Sequence, residues 1–324
     1  MIITFLGTGS GAPTTRRNVS GVALQFAQAG RWWLFDCGEG TQHQILRSPL
    51  KISQLEKVFI THLHGDHLYG LIGLLASRSL RNSDLSGITV YGPPGLKQYI
   101  DGIMAVSPVH LQYPLTVQTV EPGIVYADDE LTVAAAPVRH RVPAFAYAVT
   151  ELPSPGRFRV DLAQAAGIPP GPLYGRLKKG ETVELPDGRI LHGSDFIGPP
   201  VPGRKLAISG DTEPCANMIE LARDADLLIH EATYAHSEVE LARRSGHSTA
   251  REAAEVASQA GAKGLILTHF SPRYENDENH SLADLLAEAR AIFPQTELAE
   301  DFRSFALKRK REMVGGMKKS CYNE

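Results

Sequence analysis

Short apolar runs rich in β-branched and aromatic residues recur along the 324-residue chain and predict buried β-strands. They occupy residues 2–6, 22–26, 32–35, 57–61, 88–91, 131–135 and 145–149 in the first half, and 205–209, 227–230 and 265–268 in the second. Helical patterns lie between them, at residues 41–47, 68–81, 96–106, 218–223, 248–260 and 282–293. Two halves with similar orders of strands and helices predict a layered α/β domain with two sheets.

Residues 150–204 interrupt this pattern. The segment contains nine of the 21 prolines and nine of the 30 glycines in 55 residues, a density that prevents long regular elements and marks a loop-rich insertion. Interspersed apolar residues predict a small projecting module with contacts of its own. The chain is therefore expected to divide into a main domain, residues 1–149 and 205–307, an inserted arm, residues 150–204, and a basic, disordered tail, residues 308–324.

Composition narrows the class of protein. Apolar residues make up 43% of the chain, mean hydropathy is −0.15, and no apolar stretch is long enough for a membrane helix. The three cysteines show no paired spacing and the N-terminus lacks a signal peptide, which together indicate the cytoplasm. A net charge of −3 excludes a bulk polycation, so binding to nucleic acid would need local basic patches.

Residues 61–67, Thr-His-Leu-His-Gly-Asp-His, constrain the chemistry most tightly. They place four zinc-type ligands directly after the apolar run 57–60, at the end of a predicted strand. Burying four such polar groups in one loop is costly unless they bind something. Catalytic zinc usually takes three protein ligands, so the spacing predicts two ions side by side. His62 and His64 would bind one ion, and Asp66 and His67 the other.

Three further ligand-type residues follow predicted strands elsewhere in the chain. His140 comes after the apolar stretch 132–138, Asp211 after the strand near 205–208, and His269 after the strand 265–268. Gly210 would let the backbone bring the Asp211 carboxylate close to the other ligands. A carboxylate can bridge two cations, so these residues would complete a two-metal centre.

These motifs resemble the metallo-β-lactamase fold and, within it, the ribonuclease Z family, which processes the 3′ ends of tRNA. Besides the histidine motif, the resemblance rests on the glycine-rich loop 7–13 with residues 17–19, His-Glu-Ala-Thr at 230–233, His-Ser-Thr at 247–249, the glycine–proline segment 171–180 and Ala-Glu-Asp at 299–301. It covers nearly the whole chain. It implies an αββα sandwich of two mixed sheets flanked by helices, with the insertion as a flexible arm.

The resemblance also implies seven ligands for two zinc ions. The first zinc would take three imidazoles, from His62, His64 and His140. The second would take one carboxylate and two imidazoles, from Asp66, His67 and His269. Asp211 would bridge the two ions.

The family implies precursor tRNA as the partner and a homodimer in which the arm of one subunit serves the active site of the other. The arm would grip the tRNA body as an exosite, through Gly171, Pro172, Arg176, Lys178 and Lys179. Arg17 would contact RNA from the N-terminal loop. That loop often carries a lysine two residues after its proline in this family, whereas here the position is Thr15.

Two neighbouring cations can activate water and stabilise the entering and leaving oxygens of an in-line phosphoryl displacement. The expected reaction removes the 3′ trailer from precursor tRNA and leaves a 3′-OH on the tRNA and a 5′-phosphate on the trailer. Asp66 can orient the water or accept its proton. His247 is not needed as a ligand and can act as a general acid on the leaving group, with Glu231 orienting it.

Simpler interpretations remain open at this stage. A small-molecule hydrolase or phosphodiesterase on the same fold would need the same metal motif, but it would leave the arm without a purpose. A non-catalytic RNA-binding subunit would predict decayed ligands, whereas all seven are present. The basic residues of the arm could form a solvated turn, and His247 could merely precede a helix capped by Ser248.

Overall fold

Two seven-stranded sheets form the framework of the computed structural model, which describes residues 1–26, 29–81, 86–107, 109–275 and 281–309. The strands, numbered β1–β16 in chain order, are Ile2–Gly7, Gly21–Phe26, Arg31–Phe35, Leu55–Phe59, Ile88–Gly92, Leu115–Thr119, Gly123–Ala127, Leu131–Val138, Ala144–Glu151, Thr182–Glu184, Ile190–His192, Lys205–Ile208, Leu227–Glu231, Leu265–Thr268, Thr296–Leu298 and Ser304–Ala306. The helices, α1–α10, are Thr41–Leu46, Gly65–Leu68, Leu71–Arg81, Leu96–Val106, Val160–Ala165, Pro172–Lys178, Ala216–Leu221, Val239–Ser245, Ala250–Gln259 and Leu282–Ile292.

Both sheets are mixed, and each has a parallel half. The first has the order β16-β1-β2-β3-β4-β5-β6, with β3 to β6 parallel. The second has the order β15-β14-β13-β12-β9-β8-β7, with β12 to β15 parallel. Parallel strands end at one edge of their sheet, and ligands of α/β proteins bind at such carboxyl ends.

The sheets pack face to face and are covered by helices on their outer faces. Between them lies an apolar core with members from both sheets, including Phe5, Phe59, Tyr147 and Ile266. On the outside, α1, α3 and α4 cover the first sheet, and α7, α9 and α10 cover the second. The predicted αββα sandwich is confirmed, because apolar strands buried on both faces require a layer on each side.

The chain separates into two compact units. The first comprises residues 1–150 and 204–308, and the second residues 151–203 together with Arg309. The second unit contains α5, α6 and the β10–β11 hairpin, packed around a small core of its own: Ala163, Ile168, Leu177, Val183 and Phe196. It lies inside the predicted arm, 150–204. The tail from residue 310 onward, Cys321 and His280 lie outside the described residues.

Several elements differ from the sequence prediction. The predicted helix 68–81 begins later, as α3 at Leu71, because the backbone N–H of Gly70 bonds to the carbonyl oxygen of Cys37; Leu68 instead ends the short helix α2. Strands β6, β7, β15 and β16 and helix α8 escaped the sequence analysis. The strands are short or largely exposed, so they lack the continuous apolar run that marks a buried strand. Among the described helices, none has the length and apolar character to cross a membrane.

Candidate metal centre

All seven predicted metal ligands converge at the carboxyl ends of four strands. The first motif follows β4, with His62 and His64 in extended backbone and Asp66 and His67 in the first turn of α2. His140 follows β8, Asp211 follows β12, and His269 follows β14. Gly210 takes a positive φ of 59°, and a Cβ atom there would lie 2.7 Å from Cβ of Thr61. Glycine therefore lets the Asp211 loop approach the first motif.

The first group joins His62, His64, His140 and Asp211. Nδ1 of His64 lies 3.0 Å from Nε2 of His62 and 3.1 Å from Nε2 of His140. Oδ2 of Asp211 lies 3.6 Å from Nε2 of His62. One ligand atom from each of the four residues falls within 4.8 Å of all the others, so one cation could contact all four.

The second group joins Asp66, His67, His269 and the same Asp211. Nε2 of His67 lies 3.2 Å from Nε2 of His269, and Oδ2 of Asp66 lies 3.3 Å from Nε2 of His269. His269 takes a positive φ of 61°, which a non-glycine residue rarely adopts. Backbone strain of this kind concentrates at functional sites. Here the strained residue is itself a member of the ligand cluster.

Two divalent cations fit these residues. Zinc–nitrogen bonds of about 2.0–2.1 Å at tetrahedral angles bring ligand nitrogens to about 3.3 Å, close to the 3.0–3.2 Å found here. Oδ1 of Asp211 is buried and has no hydrogen-bond partner among the described residues, although Nε2 atoms of His67 and His269 lie 3.2 and 3.4 Å away. A buried carboxylate oxygen without a hydrogen bond is costly, and a cation would satisfy it.

Residues around the ligands hold the second nitrogen of four imidazole rings. Nδ1 of His67 lies 2.8 Å from Oδ2 of Asp36, and Nδ1 of His140 lies 2.7 Å from the carbonyl oxygen of Gly246. Hydroxyl groups occupy the equivalent position at the other two rings, Thr61 at His62 and Thr233 at His269. Such contacts fix the ring orientation of a metal ligand.

The supporting residues Asp36, Thr61 and Thr233 were absent from the predicted site. Asp36 carried the same signal as Asp211, a carboxylate directly after a buried strand, and it could have been found by that rule. It also hydrogen-bonds the backbone and side chain of Thr61, which links the support of His67 to that of His62. Thr61 and Thr233 lie within the motifs 61–67 and 230–233, but hydroxyl residues are common near strand ends and neither was assigned a role.

The environment sets the charge of the ligands. Burial lowers the pKa of His62, His64 and His140, which favours the neutral imidazole that binds a metal. Burial would raise the pKa of Asp211 and Asp66, but the neighbouring histidines outweigh it and lower both values below the usual range. Both carboxylates are therefore charged at neutral pH, as cation ligands must be.

His247 lies beside the cluster and is oriented by Glu231. Nδ1 of His247 donates to Oε1 of Glu231 over 2.9 Å, and the two imidazole rings of His247 and His140 have centroids 5.1 Å apart. Burial lowers the pKa of His247, but the Glu231 carboxylate outweighs this effect and raises the pKa to about 9. The Glu231 carboxylate also accepts hydrogen bonds from Thr212 and Thr233. It is thus engaged by protein donors.

The helix that follows His247 is capped by Thr249, not by Ser248 as the sequence suggested. Thr249 and Glu252 form a reciprocal capping box, while the Ser248 hydroxyl donates to the carbonyl oxygen of Thr212. His230 is fully buried, and its Nδ1 contacts the carbonyl oxygen of Glu231. It therefore supports strand β13, and among the described residues it has no hydrogen bond to a predicted metal ligand.

Arg17, predicted to contact RNA, is held by protein partners. Its side chain is only 12% exposed, and its guanidinium donates to the hydroxyl of Thr8 and the carbonyl oxygen of Ala299. Asp301 accepts from the Thr8 hydroxyl and from the backbone N–H of Asn18. This network anchors the N-terminal loop. Gly11 in that loop donates its backbone N–H to Oδ2 of Asp66 over 2.7 Å.

The arm residues predicted to bind RNA lie on and around α6. Gly171 is the residue before the helix, and Pro172 is at its first position, where a missing N–H costs nothing. Arg176, Lys178 and Lys179 are exposed. Arg176 has an acidic neighbour, because its Nε lies 2.9 Å from a carboxylate oxygen of Glu181, one residue beyond the glycine–proline segment 171–180.

The αββα sandwich and the paired ligand groups at its strand ends define a hydrolase of the metallo-β-lactamase superfamily. A family model described as beta-lactamase superfamily domain matches residues 185–270, and one described as anti-Pycsar protein Apyc1 matches residues 1–100. The chain belongs to the ribonuclease Z family, as relatives along nearly its full length show.

Three relatives carry this assignment. Ribonuclease Z of Brevibacillus brevis is 65% identical over 312 residues, 96% of this chain and 98% of that protein. Ribonuclease Z of Acaryochloris marina is 55% identical over 310 residues, 96% of this chain and 98% of that protein. The crystal structure of human tRNase Z, short form, matches with a TM-score of 0.69 and 32% identity, covering 95% of this chain and all of that one. The resemblance noted in the sequence is confirmed.

Proposed function

We propose that this protein is a metal-dependent endoribonuclease that removes the 3′ trailer from tRNA precursors, leaving a 3′-OH on the tRNA and a 5′-phosphate on the trailer. Membership of the ribonuclease Z family supports this activity. The observation that carries it is the pair of ligand groups sharing Asp211, whose second carboxylate oxygen lies buried between two imidazoles. A carboxylate shared in this way fits two adjacent cations, the arrangement used to cleave phosphodiesters.

The cations are proposed to be two zinc ions, one for each group. His62, His64 and His140 would hold the first, Asp66, His67 and His269 the second, and Asp211 both. When bound, the ions would supply positive charge that activates water and stabilises the entering and leaving oxygens. Imidazole and carboxylate donors suit zinc, although they also bind other divalent metals.

Two residues of the chain would carry out the proton transfers. The Asp66 carboxylate, oriented by the Gly11 N–H, can hold the attacking water and accept its proton. His247 can donate its proton to the 3′ oxygen that leaves. Glu231 stabilises the protonated imidazole and fixes its orientation. A positioned acid of this kind contributes about 10²–10⁴-fold to the rate.

We expect His247→Ala to retain bound metal but to lower kcat on precursor tRNA by at least about tenfold, because the leaving oxygen loses its proton donor. Metal content by mass spectrometry and single-turnover cleavage would measure the two effects. His43→Ala provides a matched control, since His43 is an exposed histidine on α1. An unchanged kcat in the metal-loaded His247→Ala enzyme would contradict the assignment.

Removal of metal is expected to abolish cleavage and to lower the melting temperature, because the folded protein loses the free energy of metal binding at the buried Asp211. A gel assay on a tRNA with a 3′ trailer, with chelator and after addition of Zn²⁺, would measure both the activity and its recovery. Cleavage that persists in the fully demetallated protein would rule out a metal-dependent reaction. The same assay, run against small phosphodiesters, separates a tRNA nuclease from a small-molecule hydrolase.

Exposed groups of the arm are proposed to bind the tRNA body. Lys178, Lys179 and Arg176 would contact phosphates, with Gly171 and Pro172 shaping the start of α6. Phosphate contacts supply affinity and position without reading the sequence. Arg17 would act on RNA only through the loop that it anchors, because its guanidinium is engaged by Thr8 and Ala299.

The proposal also includes a homodimer, in which the arm of one subunit serves the centre of the other, and a location in the cytoplasm. The dimer is what the resemblance to the ribonuclease Z family implies. The cytoplasm is a reducing compartment, and this location is supported by Cys37 and Cys215, which form no disulfide in the described part of the chain. Sedimentation of the purified protein, with and without precursor tRNA, would measure the oligomeric state.

A further inference from the structure

A groove of about 440 Å³ adjoins the metal centre on the side of Asp66. The N-terminal loop contributes Gly11, Ala12 and Pro13 to its lining, and Tyr69 and Asp66 also line it. The volume lies in the range of sites that bind small ligands. The groove therefore has room for part of a substrate that reaches the centre.

Tyr69 gives the groove an exposed aromatic surface. The residue is 63% exposed, although it lies two positions after the ligand His67. A Cβ atom at Gly65 would lie 2.3–2.6 Å from three carbons of the Tyr69 ring, so the ring packs on the bare Cα of that glycine. One side of the ring is thus supported by backbone, which leaves the rest of it available for contact. Fixed, exposed aromatic rings are the surfaces on which proteins stack single-stranded bases.

The charge of the groove favours a base over a phosphate. No lysine or arginine occurs among its lining residues, and Glu39 adds an acidic side chain that belongs to neither ligand group. A carboxylate repels phosphate groups but accepts hydrogen bonds from the amino groups of bases. The Tyr69 ring and the Glu39 carboxylate together suit a neutral, flat group that carries hydrogen-bond donors.

We propose that this groove binds the nucleobase of the first trailer nucleotide, stacked on Tyr69, an inference that rests on the proposed function. In an in-line displacement, the attacking water and the leaving oxygen lie on opposite sides of the phosphorus. The leaving oxygen belongs to the last nucleotide of the tRNA and faces His247, which does not line the groove. The groove is lined by Asp66 and His64 but not by His247, so it lies away from the proton donor of the leaving tRNA oxygen, and we assign it to the chain downstream of the cleaved bond.

A cycle of protein and RNA changes tests this assignment. Wild-type, Tyr69→Ala and Tyr69→Phe enzymes would each cleave precursors that carry a normal base or an abasic site at the first trailer position. Stacking of one base on an aromatic side chain corresponds to about 5- to 150-fold in binding. We expect the abasic site to lower kcat/KM of the wild type by a factor in this range. Tyr69→Phe should keep this factor, and Tyr69→Ala should bring it close to one.

Each outcome of the cycle is decisive. If the base does not stack on Tyr69, the abasic site lowers kcat/KM by the same factor in the wild type and in Tyr69→Ala. An equal loss in both enzymes, with unchanged metal content and melting temperature, would therefore refute stacking on Tyr69. If the Tyr69-dependent loss appeared for an abasic site at the last tRNA position, the occupant would be the upstream base and the inference would be wrong. Failure of the wild type to cleave the intact precursor would instead refute the proposed function, and this inference with it.

Discussion

Asp211→Asn is expected to lower kcat/KM on precursor tRNA by more than about 100-fold and to remove the stabilisation that metal gives. Loss of residues that merely orient a metal ligand costs about 10–100-fold, and Asp211 is a proposed ligand of both ions. Its oxygens reach both groups, Oδ2 at 3.6 Å from His62 and Oδ1 at 3.2 Å from His67. An amide keeps the size of the side chain but removes the charge that offsets two cations.

The effect can be separated from misfolding. Metal content, the rise in melting temperature on addition of Zn²⁺ and the rate of tRNA cleavage would be measured on the same preparation. Glu213→Gln is the matched control, since Glu213 is a carboxylate on the same loop that belongs to neither ligand group. We expect the control to keep metal and activity. Two bound ions and normal cleavage in Asp211→Asn would refute the bridging role.

Replacement of residues 156–200 by a short turn is expected to abolish detectable cleavage of precursor tRNA while sparing hydrolysis of bis-p-nitrophenyl phosphate. The reason is that the metal ligands lie in the other compact unit, whereas the proposed contacts with the tRNA body lie in the arm. A small phosphodiester needs only the centre. The large RNA would lose the phosphate contacts that position it.

The structure indicates where to cut the chain. Ser154 and Val201 are joined by two backbone hydrogen bonds of 3.0 and 2.9 Å, so a turn between residues 155 and 201 closes an existing antiparallel pair. The graded counterpart is an Arg176→Ala, Lys178→Ala, Lys179→Ala enzyme, which keeps the arm core around Leu177. We expect this triple variant to have a higher KM for tRNA than the wild type. Its KM should also depend less on the salt concentration. Normal tRNA processing by the arm-deleted enzyme would exclude an exosite in residues 156–200.

Much of the centre was accessible from the sequence because each ligand follows a buried strand. The run of residues 57–60 marks the strand. The polar residues after it indicate a binding site, because burying them without a partner would be costly. The same rule found Asp211 and His269, which follow β12 and β14. It applies equally to Asp36 after β3, which was not among the predicted site residues.

The rest depended on contacts between distant residues. Arg17 looked like a group for RNA, yet its partners Thr8 and Ala299 bury it in a network that no local pattern reveals. The later start of the predicted helix 68–81 has a similar origin, since the backbone N–H of Gly70 bonds to Cys37, which is distant in the chain. Burial and pairing are properties of the whole chain, so sequence position alone does not determine them.

The amino-acid sequence by itself therefore predicted the layered fold and the ligand types, because hydrophobic runs and strand-end residues are local signals. The division of all seven ligands into two sets was implied by the resemblance to the ribonuclease Z family. Only the tertiary structure decided how the ligands are supported. It placed Asp36 against His67 and Thr233 against His269. It also formed the groove beside the centre, in which the Tyr69 ring packs on Gly65 and the N-terminal loop contributes to the lining. The reason is physical: a ligand can be recognised from its chemistry, but its orientation and access depend on what packs around it.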